Sequence, residues 1–174
     1  MKWLFKRQKE QKEEDIEIDG GTTTSNSQDV SKSIDSIDIV YFECEFALDS
    51  YILDESDDDF NGFFHLTAKL VDDVVHGKYD HLTRWGRVEK EFKADAAFLS
   101  NLGIIVKDEK FAQTNGIVSR TSGLPDFFGS ELTVDYATGE HIYSYNNQDI
   151  LLSIDGLRKV KNLFDKAIPK NKDK

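Results

Sequence analysis

Between residues 40 and 48 the apolar side chains fall at every second position. Val40, Phe42, Cys44, Phe46 and Leu48 alternate with Tyr41, Glu43, Glu45 and Ala47. Successive side chains of an extended chain point to opposite faces. The run therefore predicts a half-buried strand with an inward face rich in phenylalanine. One strand cannot bury a face alone, so the rest of the chain must supply partner strands and a covering layer.

Partner strands are legible to different degrees. Residues 63–75 read as one long strand with Phe64, Leu66, Ala68 and Leu70 on one face. The stretch His76-Gly77-Lys78-Tyr79-Asp80 reads as a turn, and residues 82–92 as a third strand of poor alternation. A hairpin is clearer. Leu132, Val134 and Tyr136 alternate with polar residues, and Ala137-Thr138-Gly139 then leads into residues 140–145. A loop of this length ending in Gly suits a type I turn closed by a glycine bulge. That register sets Val134 opposite Ile142 and Asp135 opposite His141. Residues 107–130 are rich in turn signals and read as an ordered loop, with one short strand at 116–120.

Two helices are expected over this sheet. Residues 95–102 carry Phe98, Leu99 and Leu102 on one face, with Asp95 as N-cap and Gly103 in the left-handed position that ends a helix. Residues 155–168 carry Leu157, Val160, Phe164 and Ile168 as a buried stripe; Ser153 or Asp155 can cap it, and Pro169 stops it. The predicted fold is α+β: a mainly antiparallel sheet of about five strands, packed on one face by the short central helix and the C-terminal amphipathic helix. Phe42, Phe46, Phe64 and Leu66 would meet Leu157, Val160 and Phe164.

Residues 1–36 read as a charged segment and linker. Residues 1–15 suit a short charged helix without a sustained apolar stripe, and 20–36 are rich in Gly, Ser and Thr. A single α+β domain over 37–169 and a mobile tail over 170–174 follow. The 174 residues suffice for one core without staples. The only cysteine, Cys44, excludes an internal disulfide and fits a reducing cytoplasm. No apolar run approaches a membrane span. Met1 to Arg7 is too short for a secretory signal and leaves at most a weak peripheral membrane contact through Trp3, Leu4 and Phe5.

The net charge of −11 is uneven. An acidic section over residues 13–59 sits between two basic ends. Such a field opposes nucleic acid, whose binding rests on neutralising phosphates, and favours a basic protein partner. Plain solubility explains the same charge.

The sharpest motif is Asp57-x-Asp59-x-Asn61-Gly62, the first half of an EF-hand loop. The twelfth position should be Glu and is Ala68, and the flanks read as strands. A solvated acidic turn competes with a calcium loop over 54–62. Calcium is the one cofactor the sequence suggests. The four histidines form no i, i+4 pair on a predicted helix and Cys44 has no CxxC partner, so no transition-metal site is expected. Cys44 lies between Glu43 and Glu45, which suits an inert core thiol. The Asp135–His141 pair lacks a nucleophile, since Ser144 falls on the other face. No GxSxG, P-loop, dinucleotide fingerprint or HExxH occurs. Trp85 between Arg84 and Arg87 reads as a core Trp on a sheet, or as a partner anchor. Tyr143 and Tyr145 form a second polar aromatic patch of the same kind.

The functional expectation is thus a non-catalytic interaction protein, such as a bacterial inhibitor or immunity-type protein, whose acidic surface meets a basic partner. An enzyme whose site escapes sequence reading and a calcium-binding module are the alternatives.

Overall fold

A computed structural model describes residues 21–48, 60–123 and 128–169. Among them the chain forms β1 (Thr22–Asn26), β2 (Ile39–Leu48), β3 (Gly62–Val71), β4 (Val74–Thr83) and β5 (Gly86–Ala94). There follow α1 (Ala96–Asp108), a 3₁₀ turn (Phe111–Thr114), β6 (Ile117–Thr121), β7 (Ser130–Tyr136), β8 (His141–Asn146) and α2 (Ile154–Ala167). All strands join one sheet in the order β1-β6-β8-β7-β2-β3-β4-β5.

The class is α+β, but the expected mainly antiparallel sheet of about five strands is wrong. The sheet has eight strands and is mixed, because β6 runs parallel to β8. Three local features account for the difference. Residues 63–75 are not one strand: Asp72 and Asp73 turn the chain between Val71 and Val74, with φ of 48° and 63°. Two consecutive residues at positive φ make the turn that matches the twist of a hairpin. Valines on both sides hide it from a periodicity reading. Next, residues 76–80 are no turn but the middle of β4, and the real turn lies at Arg84-Trp85, between paired Thr83 and Gly86. The poor alternation over 82–92 arises because that window crosses the turn. Finally, Thr22–Asn26, read as linker from its composition, pairs with β6 as an exposed edge strand.

The hairpin of β7 and β8 has the expected register, with Val134 opposite Ile142 and Asp135 opposite His141. Gly139 sits at φ 85° and its N–H donates to the Tyr136 carbonyl at 2.9 Å. The residues that alternate inward from β2, β3, β7 and β8 are fully buried: Phe42, Phe46, Phe64, Leu66, Leu132, Val134 and Ile142. Both helices cover this face. Phe164 of α2 lies at the centre, its ring centroid 6.2 Å from Phe42, 5.7 Å from Phe92 and 5.2 Å from Phe98. Cys44 is buried among them, and burial pushes its thiol pKa up, as an inert core cysteine requires.

α1 is capped by Asp95, whose side chain accepts from the Ala97 N–H at 3.1 Å. It does not stop at residue 102. Gly103 is inside the helix, where a Cβ would stand 2.2 Å from the Ile37 carbonyl oxygen. Glycine here permits the close approach of helix and chain rather than ending the helix, at a propensity cost of about 1 kcal/mol. α2 is capped by Ser153, which accepts from the Gly156 N–H at 3.0 Å.

Candidate functional site: the open face of the sheet

With both helices on one face, the other face of the sheet is left to the alternate residues of each strand. The registers align them in rows. One row runs Tyr145, Glu131, Glu45, His65, Asp80, Glu89, each directly opposite the next on the neighbouring strand. The row beside it contains Tyr143, Thr133, Glu43, Thr67 and Lys78.

The two ends of the first row differ in how charge is balanced. At the β4–β5 end of the row Asp80 and Glu89 each have a cation. Arg87 forks onto Asp80, with Nε donating to Oδ1 at 2.8 Å and Nη2 to Oδ2, while Lys78 Nζ lies 2.6 Å from Glu89 Oε1. The guanidinium holds the Asp80 carboxyl below its usual range. On β2 and β7 carboxylates dominate. His65 Nε2 is 2.7 Å from Glu43 Oε1 and 3.5 Å from Glu45 Oε1. Tyr41 donates its hydroxyl to Glu43 Oε2 at 2.6 Å, and Tyr143 is hydrogen-bonded to Glu131. Glu45 faces Glu131 directly across the β2–β7 ladder. Like charges in that relation repel. Burial first, and Glu131 and Glu43 further, raise the Glu45 pKa, against the opposing pull of His65. Burial and the Glu43 carboxylate likewise raise the Tyr41 pKa.

This cluster can do two things chemically. Glu43, Glu45 and His65 bring one ligand atom each within 4.8 Å of one another, a set whose donors suit a divalent ion such as zinc. The wider face, with Glu131 and Asp135, suits a cationic group on a partner. Nucleophilic catalysis is less well served. Asp135 Oδ1 and His141 Nδ1 are 2.5 Å apart, but Ser144 points to the opposite face, where it is buried and receives a hydrogen bond from Thr114.

The residues singled out from sequence take separate positions. Trp85 is not a core residue: it is 83 % exposed at the tip of the β4–β5 hairpin, with the Arg84 guanidinium 4.6 Å from its ring centroid. Leu82 and Val88 flank that tip and are exposed. Arg87 is engaged by Asp80. Tyr143 and Tyr145 lie on β8, five strands from β5 in the sheet order, or about 24 Å at ~4.8 Å per strand. The structure therefore does not unite them with Trp85. Tyr145 is buried with Arg120 stacked over its ring at 5.6 Å. His76 and His81 both lie on β4, where His81 stacks on Phe64 at 4.0 Å and bonds the Asn61 carbonyl at 2.8 Å. Of the acidic loop, Asp57 and Asp59 are outside the described residues, as are residues 1–15 and 170–174.

Sequence reading missed the Glu43, Glu45, His65 and Glu131 group. Half of its signal was visible, since Glu43 and Glu45 occupy the outward positions of the best-predicted strand. The strand order that brings His65 to one side and Glu131 to the other was not. Among the described residues, no helix is long and apolar enough to cross a membrane. Comparison with protein-family models, with curated proteins and with solved structures gives no match for this chain.

Proposed function

We propose that this protein is a non-catalytic protein-interaction domain of inhibitor or immunity type, acting in the cytoplasm, and that its open sheet face receives a basic partner protein. One observation carries the reading: Glu43, Glu45 and Glu131 stand together on adjacent strands of the face that neither helix covers, with His65 beside them. A rigid sheet is a suitable platform for recognition, because its side chains are held in register by the ladders beneath them. Complementary charge speeds encounter and selects the partner. The exposed Trp85 at the edge of the same sheet is of a type that anchors interfaces.

The test begins with retrieval of partners from a lysate of the protein's own source at low and high salt. The expected product is one stoichiometric basic protein whose complex weakens as salt rises. Its affinity should then fall at least about tenfold for Glu43→Gln/Glu45→Gln/Glu131→Gln, because the substitution weakens several charge-assisted hydrogen bonds at once. A complex that ignores both salt and the triple substitution would place the interface elsewhere and defeat the reading.

A further inference from the structure

The open face is not acidic throughout. Across β3, β4 and β5 one of its rows runs Lys69, His76, Lys93, each directly opposite the next. In the rows beyond it, Lys78 and Arg87 are engaged by Glu89 and Asp80. Among the described residues, Lys69, His76 and Lys93 form no ion pair. Basic groups directly opposite one another do not stabilise a sheet. In a chain with 33 Asp and Glu against 22 Lys and Arg, three basic groups in register without an acid are the reverse of what composition supplies.

A cavity of about 500 Å3, open to solvent, lies along this row. His76 and Lys93 line it, together with Thr67 and Lys78 of the next row, Glu91 opposite Lys78, and Pro169 beyond α2. The sequence runs on from Pro169 into Lys170, Lys172 and Lys174. The volume falls within the roughly 300–1,000 Å3 of small-molecule sites. We propose that this cavity binds a small phosphate ester of a polyol, such as a sugar phosphate. The donor set assigns the two halves of the ligand. Lys93 is a compact charge and His76 an N–H donor, both suited to phosphate oxygens, and the Thr67 hydroxyl adds a neutral donor. Neither His76 nor Lys93 must break an ion pair of the chain to bind. Glu91 repels a phosphate set against it but accepts from hydroxyl groups. The phosphate therefore belongs on the His76–Lys93 side and the polyol beside Glu91. A bare phosphate ion would leave most of the volume and Glu91 unused. The site goes beyond the interaction reading and does not rest on it, since the acidic docking residues stand on β2 and β7.

The probes are ribose 5-phosphate, inorganic phosphate and ribose, titrated calorimetrically into the full chain at low salt. Ribose 5-phosphate should saturate one site per chain, bind about tenfold tighter than inorganic phosphate, and shift the amide resonances of residues 67, 76–78 and 91–93; ribose should give no saturable heat. His76→Gln/Lys93→Gln should weaken ribose 5-phosphate at least about tenfold, through the loss of charge-assisted bonds. Lys90→Gln/Lys166→Gln removes lysines outside the cavity, Lys90 from the opposite face of the same strand, and should leave the affinity unchanged. Thermal melts of all variants establish that they are folded. Equal binding of ribose 5-phosphate and inorganic phosphate, weakened alike in both double variants, would mean general attraction of anions and overturn the site. Affinity that survives His76→Gln/Lys93→Gln, or resonance shifts confined to other residues, would overturn its assignment to this cavity. No saturable heat with either anion would overturn the proposal outright. The acidic docking face would stand in every case, because its own test uses a basic protein and other residues.

Discussion

The two sides of this sheet are built by different means. From β2 to β5 the strands are consecutive hairpins, each paired along nearly its whole length, over a core of phenylalanines. On the other side β6 meets β8 in parallel over only Val118–Tyr145 and Ser119–Asn146. Two buried asparagines hold this seam. Asn147 accepts from the Thr121 N–H at 2.8 Å and donates to the Thr121 carbonyl at 3.0 Å, imitating one more residue of a strand. Asn115 accepts from the Tyr143 N–H and donates to the His141 and Ser31 carbonyls, each at 2.9 Å. Regular ladders are stabilised by repetition. A seam between non-consecutive strands depends on single side chains in single geometries.

The largest effect tests the first side. Phe164→Ala removes a fully buried ring that touches Phe42, Phe92 and Phe98. It should cost about 3–5 kcal/mol through lost transfer energy and the cavity left behind. Urea unfolding would report it as a lower midpoint. Because the ring joins α2 to both β2 and β5, amide protection should fall throughout the sheet.

Asn115→Ala tests the seam. It leaves one N–H and two carbonyls without their partner in a buried site, and should cost about 2–3 kcal/mol. The distribution matters more than the size. Hydrogen exchange should rise first in β6 and β8, with β2 to β5 still protected. A loss spread evenly over all strands would show that the two sides unfold as one unit, and the contrast between ladder and seam would fail.

The same contrast explains what the sequence could reveal. β2, the β7–β8 hairpin and α2 were legible because each encodes its period locally, in residues two or three to four apart. The β3–β4 turn was not, because Asp-Asp between valines departs from the usual Gly or Asn signal and depends on two residues accepting positive φ. β1 was invisible for a different reason. Its side chains are all exposed, so no apolar period marks it, and it is a strand only because β6 offers an edge. Asn115 falls in the turn-rich stretch 107–130 and Asn147 next to the polar aromatic patch of Tyr143 and Tyr145; the role of both as substitutes for backbone follows from partners distant in the chain. The candidate site was half legible in the same sense. Alternation placed Glu43 and Glu45 outward, but the proximity of Glu131 and His65 is a property of strand order.

The smallest effect is the most informative about function, because it asks whether the open face is optimised for stability. Burial and neighbouring carboxylates raise the Glu45 pKa above its ordinary 4.5. The folded chain therefore holds this proton more tightly than the unfolded chain, and stability falls as pH rises from about that value through the folded pKa. Above that window the ionised group is a standing cost; below it the cost is absent. Glu45→Gln should thus raise Tm slightly at pH 7, and the gain should vanish by pH 4, where wild type is itself protonated. The Asp80–Arg87 pair runs the other way: Arg87 lowers the Asp80 pKa, so its contribution is present at neutral pH and is lost in acid. Melting Glu45→Gln and wild type side by side from pH 4 to pH 8 separates the two. A gain at pH 7 would mean that the chain keeps a carboxylate that its own stability does not favour, as a surface reserved for an external cation would require. An unchanged or lower Tm at pH 7 would mean that His65 already satisfies Glu45, and that the face is balanced without a partner.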